Sequence, residues 1–107
     1  MRKIQKHATM LKALTKSTPS MTKAMIKNGD RDFIDTICEC GYNVLKGNVR
    51  LTKPQLARLR RHKHTLRKLT KRQSLNKKKT LLLQSGSGLL SALLGPVIGI
   101  LGSVLGQ

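Results

Sequence analysis

Residues 88–107 read GLLSALLGPVIGILGSVLGQ. Up to Leu105 this is eighteen residues without a charge. As one helix such a run would be about 27 Å long, close to the hydrocarbon thickness of a bilayer. Pattern alone fits either a membrane segment or the buried third helix of a bundle, so the reading of this stretch decides the fold. Small residues recur at Ser87, Ser91, Gly95, Gly99 and Ser103, a strict four-residue step, and Gly102 with Gly106 adds a further GxxxG. A face of small residues lets helices approach closely in lipid. Pro96 is expected to kink or interrupt the helix.

The rest of the chain is basic. It holds 22 Lys and Arg against 4 Asp and Glu, a net charge of +18 over 107 residues. Self-repulsion of that size opposes a compact state unless a polyanion supplies counter-charge, which points to nucleic acid or an anionic membrane surface. Phe33 and Tyr42 are the only aromatics, too few for a base-stacking platform, so phosphate is the expected target. Two cysteines, Cys38 and Cys40, do not make a secreted disulfide framework, and a reducing compartment is the default. The basic opening lacks the apolar stretch and cleavage site of a secretory signal.

Charge and periodicity divide the chain into four parts. Residues 1–29 are expected to form a flexible basic arm with Ile4, Met10, Leu11 and Leu14 scattered among lysines, and a short helical turn ending at Gly29. Residues 30–72 read as a small basic αα-hairpin. Asp30 or Asp32 caps the first helix, Phe33, Ile34, Ile37, Gly41, Val44 and Leu45 share one face, and Gly47 supplies a left-handed exit. Gly41 on the apolar side allows a close helix approach. The second helix opens with a capping box, Thr52 and Gln55, with Pro54 in the first turn and Leu51 and Leu56 as a hydrophobic staple. Leu56, Leu59, Leu66 and Leu69 form its apolar stripe. Residues 73–87 read as a basic and Gly/Ser linker, or in part as a continuation of the helix, and residues 88–107 as a hydrophobic tail helix. The fold class is all-α.

Within this plan all four acids, Asp30, Asp32, Asp35 and Glu39, fall in ten residues. Residues 46–79 hold fourteen bases and no acid: Lys46, Arg50, Lys53, Arg58, Arg60, Arg61, Lys63, Arg67, Lys68, Lys71, Arg72, Lys77, Lys78 and Lys79. With no acid to form intrahelical pairs, an external polyanion accounts for this stretch better than a solvated face does. Binding would be dominated by phosphate and steeply salt dependent. Two hairpin helices offer too little surface to cover a tail that is apolar nearly all round, so a membrane or a hydrophobic assembly surface is the expected place for it. Lys77, Lys78 and Lys79 would then keep the N-terminal side cytosolic.

Cys38, Cys40, His62 and His64 supply four nitrogen and sulfur groups, but residues two apart on a helix point about 200° apart, so no metal site is expected and the cysteines read as buried core. No catalytic motif is present, and the chain reads as a non-enzyme with no cofactor.

The segments ICECGYNVLKGNVRLTKPQLARLRRHK and LLLQSGSGLLSALLGPVIGILGSVL, in this order, resemble the X-like minor virion proteins of Polinton/Maverick elements and adintoviruses, and more distantly the precursor of the adenoviral core peptide X (mu). The resemblance covers residues 30–107. It implies a minor virion protein on double-stranded DNA, located in the virion and host nucleus, with a tail that meets a membrane or the capsid shell or associates with its own copies. It further implies a viral cysteine protease that detaches the tail. The protease pattern of an aliphatic residue, any residue, Gly, any residue, Gly falls on Gln84, Ser85, Gly86, Ser87 and Gly88, and would place the cut between Ser87 and Gly88. Gln84 departs from that pattern. A membrane-active protein whose basic segment docks on anionic lipid is the alternative, since clustered bases beside an apolar helix bind acidic headgroups at about 1 kcal/mol per charge.

Overall fold

The computed structural model describes residues 2–105, without the side chains of Arg2, Ser87 and residues 100–105. Seven helices follow one another: α1 (Arg2–Lys6), α2 (Ala8–Lys16), α3 (Pro19–Asn28), α4 (Arg31–Leu45), α5 (Lys53–Arg60), α6 (Lys63–Leu69) and α7 (Leu75–Leu105). No strand occurs among the described residues.

The residues expected as a flexible arm are three packed helices. Ile4, Ala8 and Leu11 follow the i, i+4, i+7 rule of a helix face, and together with Leu14 and Ile26 they are buried. Met10, off that face, is exposed. Ser17 leaves the helix in extended backbone. Thr18 then caps α3 by accepting from the Met21 amide, with Pro19 in the first turn. Gly29 ends α3 in extended backbone, where a Cβ would stand 2.8 Å from Phe33 Cδ2 and 3.0 Å from the Met25 carbonyl oxygen. Steric space, not a left-handed turn, demands glycine there.

Helix α4 matches its sequence reading except at Leu45, expected on the apolar face and exposed at the helix end. Asp30 Oδ1 accepts from the Phe33 amide at 2.8 Å, and Phe33, Ile34, Ile37 and Val44 are buried. Gly47 turns the chain at φ +79°. At Gly41 a Cβ would lie 3.0 Å from Leu66 Cδ1, so α4 and α6 approach closely where the side chain is missing. The capping box at Thr52 is formed in both directions, with Gln55 N donating to Thr52 Oγ1 at 3.3 Å and Thr52 N to Gln55 Oε1 at 2.9 Å. The helix expected to follow is broken at Arg61 and His62, whose amides bond three residues back, to Arg58 and Leu59. Of the expected apolar stripe Leu59 and, on α6, Leu66 and Leu69 are buried, whereas Leu56 is exposed.

Residues 73–87, expected as a linker, are helical from Leu75, with Ser74 Oγ accepting from the Lys77 amide. Helix α7 bends by 102° between Leu75–Gly86 and Gly88–Gly99. The bend falls at Gly86 (φ +72°, ψ −175°), within the QSGSG stretch, and the backbone stays helical through Pro96. No single helix among the described residues is long and apolar enough to cross a membrane.

The second limb of α7 is the centre of the bundle. Leu89, Leu90, Ala92, Leu93, Leu94 and Val97 are buried, and α7 packs on α2, α3, α4, α5 and α6. To the hairpin helices the first 28 residues add α2 and α3, which also pack on α7. The radius of gyration, 12.6 Å, is that of one compact body of this length.

Candidate nucleic-acid interface

A bundle with this much positive charge has few acids to set against it, and three of the four cap a helix or pair with a base on another segment. Asp32 on α4 meets α1: His7 Nε2 donates to its carboxylate at 2.7 Å, with Lys6 Nζ at 3.6 Å and Lys3 Nζ at 3.7 Å. The His7 hydrogen bond, with smaller help from Lys6 and Lys3, holds the Asp32 carboxyl below its ordinary value. One turn on, Asp35 accepts from Lys78 Nζ of α7 at 2.7 Å. Asp30 is the cap of α4. Two of the four carboxylates thus join separate segments of the bundle, and a third caps a helix.

The fourteen expected contact residues separate accordingly. Lys46, Arg50, Lys53, Arg58, Arg60, Arg61, Lys63, Arg67, Lys68, Lys71, Arg72 and Lys77 are exposed. Lys78 and Lys79 are half-buried and engaged within the bundle, Lys78 on Asp35 and Lys79 on the Lys27 carbonyl oxygen at the C-terminal end of α3, where a cation also meets the negative end of the helix dipole. Lys46 lies over the Tyr42 ring, 5.2 Å from its centroid. Helices α5 and α6 and the residues after them therefore present nine exposed bases, Lys53 through Arg72, and no acid. Lys12, Lys16, Lys23 and Lys27 on α2 and α3 are exposed as well and add positive surface. Sequence reasoning left them out of the interface because it took that region as an arm.

The small-residue stripe lies away from the core. Ser91, Gly95 and Gly99 are exposed, while the leucines of the same limb are buried. The side chains of Ser103 and Ser87 lie outside the described ones. Gly88 is exposed, and a Cβ there would stand 3.7 Å from His62 Nε2.

Among the described residues no three of His, Cys, Asp and Glu come together at metal-ligand spacing. Cys38 and Cys40 are buried, and burial pushes the Cys38 thiol up to about 11 and the Cys40 thiol up to about 12. Both are neutral at physiological pH, ill suited to nucleophilic or metal chemistry. No family model, no curated protein and no solved structure matches this chain.

Proposed function

We propose that the chain is a non-enzymatic DNA-binding protein, a minor core component of a virion acting in the particle and the host nucleus, which tethers or condenses double-stranded DNA by its phosphate backbone. One observation carries the reading: twelve of the fourteen bases in residues 46–79 are exposed, while the acids that could have neutralised them are turned to helix capping and helix docking. Such a surface repels itself, and DNA relieves the repulsion by exchanging its condensed counterions for lysine and arginine. The α5–α6 segment, of which α5 packs on α7 and α6 on α4 and α7, is the contact unit. Leu59, Leu66 and Leu69 face inward and every exposed charge on the segment is an arginine or a lysine, so the binding is insensitive to base sequence.

The resemblance to X-like virion proteins supports the same reading. In it the tail meets the capsid shell, a membrane or other copies through the exposed Ser91, Gly95 and Gly99 face, and a viral cysteine protease cuts between Ser87 and Gly88. The bend at Gly86 favours that bond, because a protease needs a segment it can draw out as an extended strand.

The membrane-active alternative has one observation in its favour. The two limbs of α7 together have the length and composition of a broken membrane span. It requires the second limb to leave the bundle about Gly86, exposing Leu89, Leu93 and Leu94.

The test is a competition with the full chain. Duplex DNA of random sequence and phosphatidylserine vesicles are offered together at physiological salt. Capture by DNA supports the proposal. Capture by vesicles, with the second limb becoming accessible to lipid-phase quenchers, would replace it with the membrane reading.

A further inference from the structure

Two of the large apolar side chains that remain exposed, Leu45 at 43% and Leu56 at 40%, open onto one groove. Leu45 ends α4 and Leu56 lies in the first turns of α5. The groove has a volume of about 500 Å³, and Val44, Leu51, Leu59 and Leu66 complete its apolar floor. Its size falls within the roughly 300–1,000 Å³ of ligand clefts. Among the described residues that line it two are charged, Arg60 and Lys63, and both are cations.

We propose that this groove docks an acidic amphipathic helix of a partner protein. Leucine-type side chains from successive turns of the partner lie on the floor, and its flanking carboxylates meet Arg60 and Lys63. The charge of the rim and of the chain chooses this occupant. A second copy would bring its own +18 and the same cationic rim against the groove. DNA offers phosphates to the rim and nothing apolar to the floor. An acidic helix satisfies both, and the desolvated leucines supply the affinity while the carboxylates supply orientation and on-rate. The groove is separate from the tail and does not depend on the DNA reading.

The experiment uses the full chain and two fluorescein-labelled helical peptides of equal negative charge. One carries leucine at i, i+3, i+4 and i+7 among glutamates, and the other carries glutamine at those positions. The leucine peptide is expected to bind about tenfold or more tightly than the glutamine peptide. Leu56→Ser should remove that advantage, and Leu45→Ser should reduce it, without loss of helix content, because both side chains are already exposed. Arg60→Gln with Lys63→Gln should weaken the leucine peptide several-fold more than Lys12→Gln with Lys16→Gln does. Equal affinity of the two peptides would reduce the interaction to general charge attraction and overturn the proposal. So would a dimer in sedimentation equilibrium that Leu56→Ser abolishes, which would make a second copy the occupant. Binding of decanoate, lost in Leu56→Ser, together with rejection of the leucine peptide would assign the groove to lipid instead.

Discussion

The Lys78 ammonium donates to the Asp35 carboxylate at 2.7 Å, joining the first limb of α7 to the middle of α4 across 43 residues of sequence. Both side chains are largely buried, at 16% and 25% exposure, so neither partner is well hydrated if the other is removed. Asp35→Asn should lower stability by about 1–3 kcal/mol, the range for a charged hydrogen bond left incomplete. Urea unfolding followed by circular dichroism measures this. A change within experimental error would mean that the pair is a surface contact of no consequence.

The pairing of Lys78 also separates it from its neighbours in function. Lys78→Gln should destabilise the fold, whereas Arg61→Gln should leave stability within about 0.5 kcal/mol, as for an ordinary surface substitution. On DNA the order reverses, with Arg61→Gln the more damaging. Binding isotherms at fixed salt, beside urea melts of the same variants, decide the matter. Loss of DNA affinity by Lys78→Gln without loss of stability would show that the ammonium reaches phosphate after all.

The second limb of α7 is expected to be indispensable to folding. Leu93 is fully buried, and Leu93→Ala should cost about 2–5 kcal/mol. Deleting residues 88–107 should abolish the cooperative thermal transition, because α2, α3 and α4 lose the surface they share. A shortened chain that still melts cooperatively would show that the tail is an appendage and the remainder a domain.

Cys38 and Cys40 should react slowly with a thiol reagent at pH 8 in the native state and fast in denaturant. Burial has pushed their thiols to about 11 and about 12, so the reactive thiolate is scarce, and access is closed as well. Complete labelling within the mixing time of the native chain would contradict the buried placement.

Acid should release α1 from α4. The Asp32 carboxyl is held below its ordinary value of 3.8, chiefly by the His7 hydrogen bond. A depressed carboxyl contributes stability that is fully present above the unfolded-state value and is lost as pH falls through the lower folded value. The protection factor of the His7 amide, which donates to the Lys3 carbonyl, should therefore fall below about pH 4, the ordinary carboxylate range, and Asp32→Asn should lower it already at neutral pH. A protection factor in the wild type that does not change between pH 5 and pH 2 would dissociate α1 docking from this carboxylate.

Local chemistry was legible from the residues alone. The Asp30 cap, the apolar face of α4, the left-handed Gly47, the close approach at Gly41 and the Thr52–Gln55 box each depend on residues a few positions apart, or on one residue's missing side chain. What eluded sequence reasoning was long-range. Ile4, Ala8 and Leu11 mark a helix face, but among so many lysines the face is narrow and becomes stable only when α7 covers it. The tail looked orphaned because sequence reasoning set it apart from the rest, whereas it is the second limb of α7, a helix that packs on α2 and α3 from the far end of the chain as well as on α4, α5 and α6. Lys78 and Lys79 looked like any other members of a basic block, and only tertiary packing brings Asp35 and the Lys27 carbonyl to them. The break at Arg61 and His62 is not written in the apolar pattern either, since Leu59, Leu66 and Leu69 would share one face of an unbroken helix as well.

The most direct test of the central claim is the dependence of DNA affinity on salt for the full chain and for a variant combining Arg58→Gln, Arg60→Gln, Arg61→Gln and Arg67→Gln. The wild type should give a steep linear fall of log K with log salt, and the variant a slope reduced by about 0.9 for each arginine that meets a phosphate. A nearly flat slope in the wild type, or the same slope in both proteins, would contradict the assignment of α5 and α6 as the phosphate-binding surface.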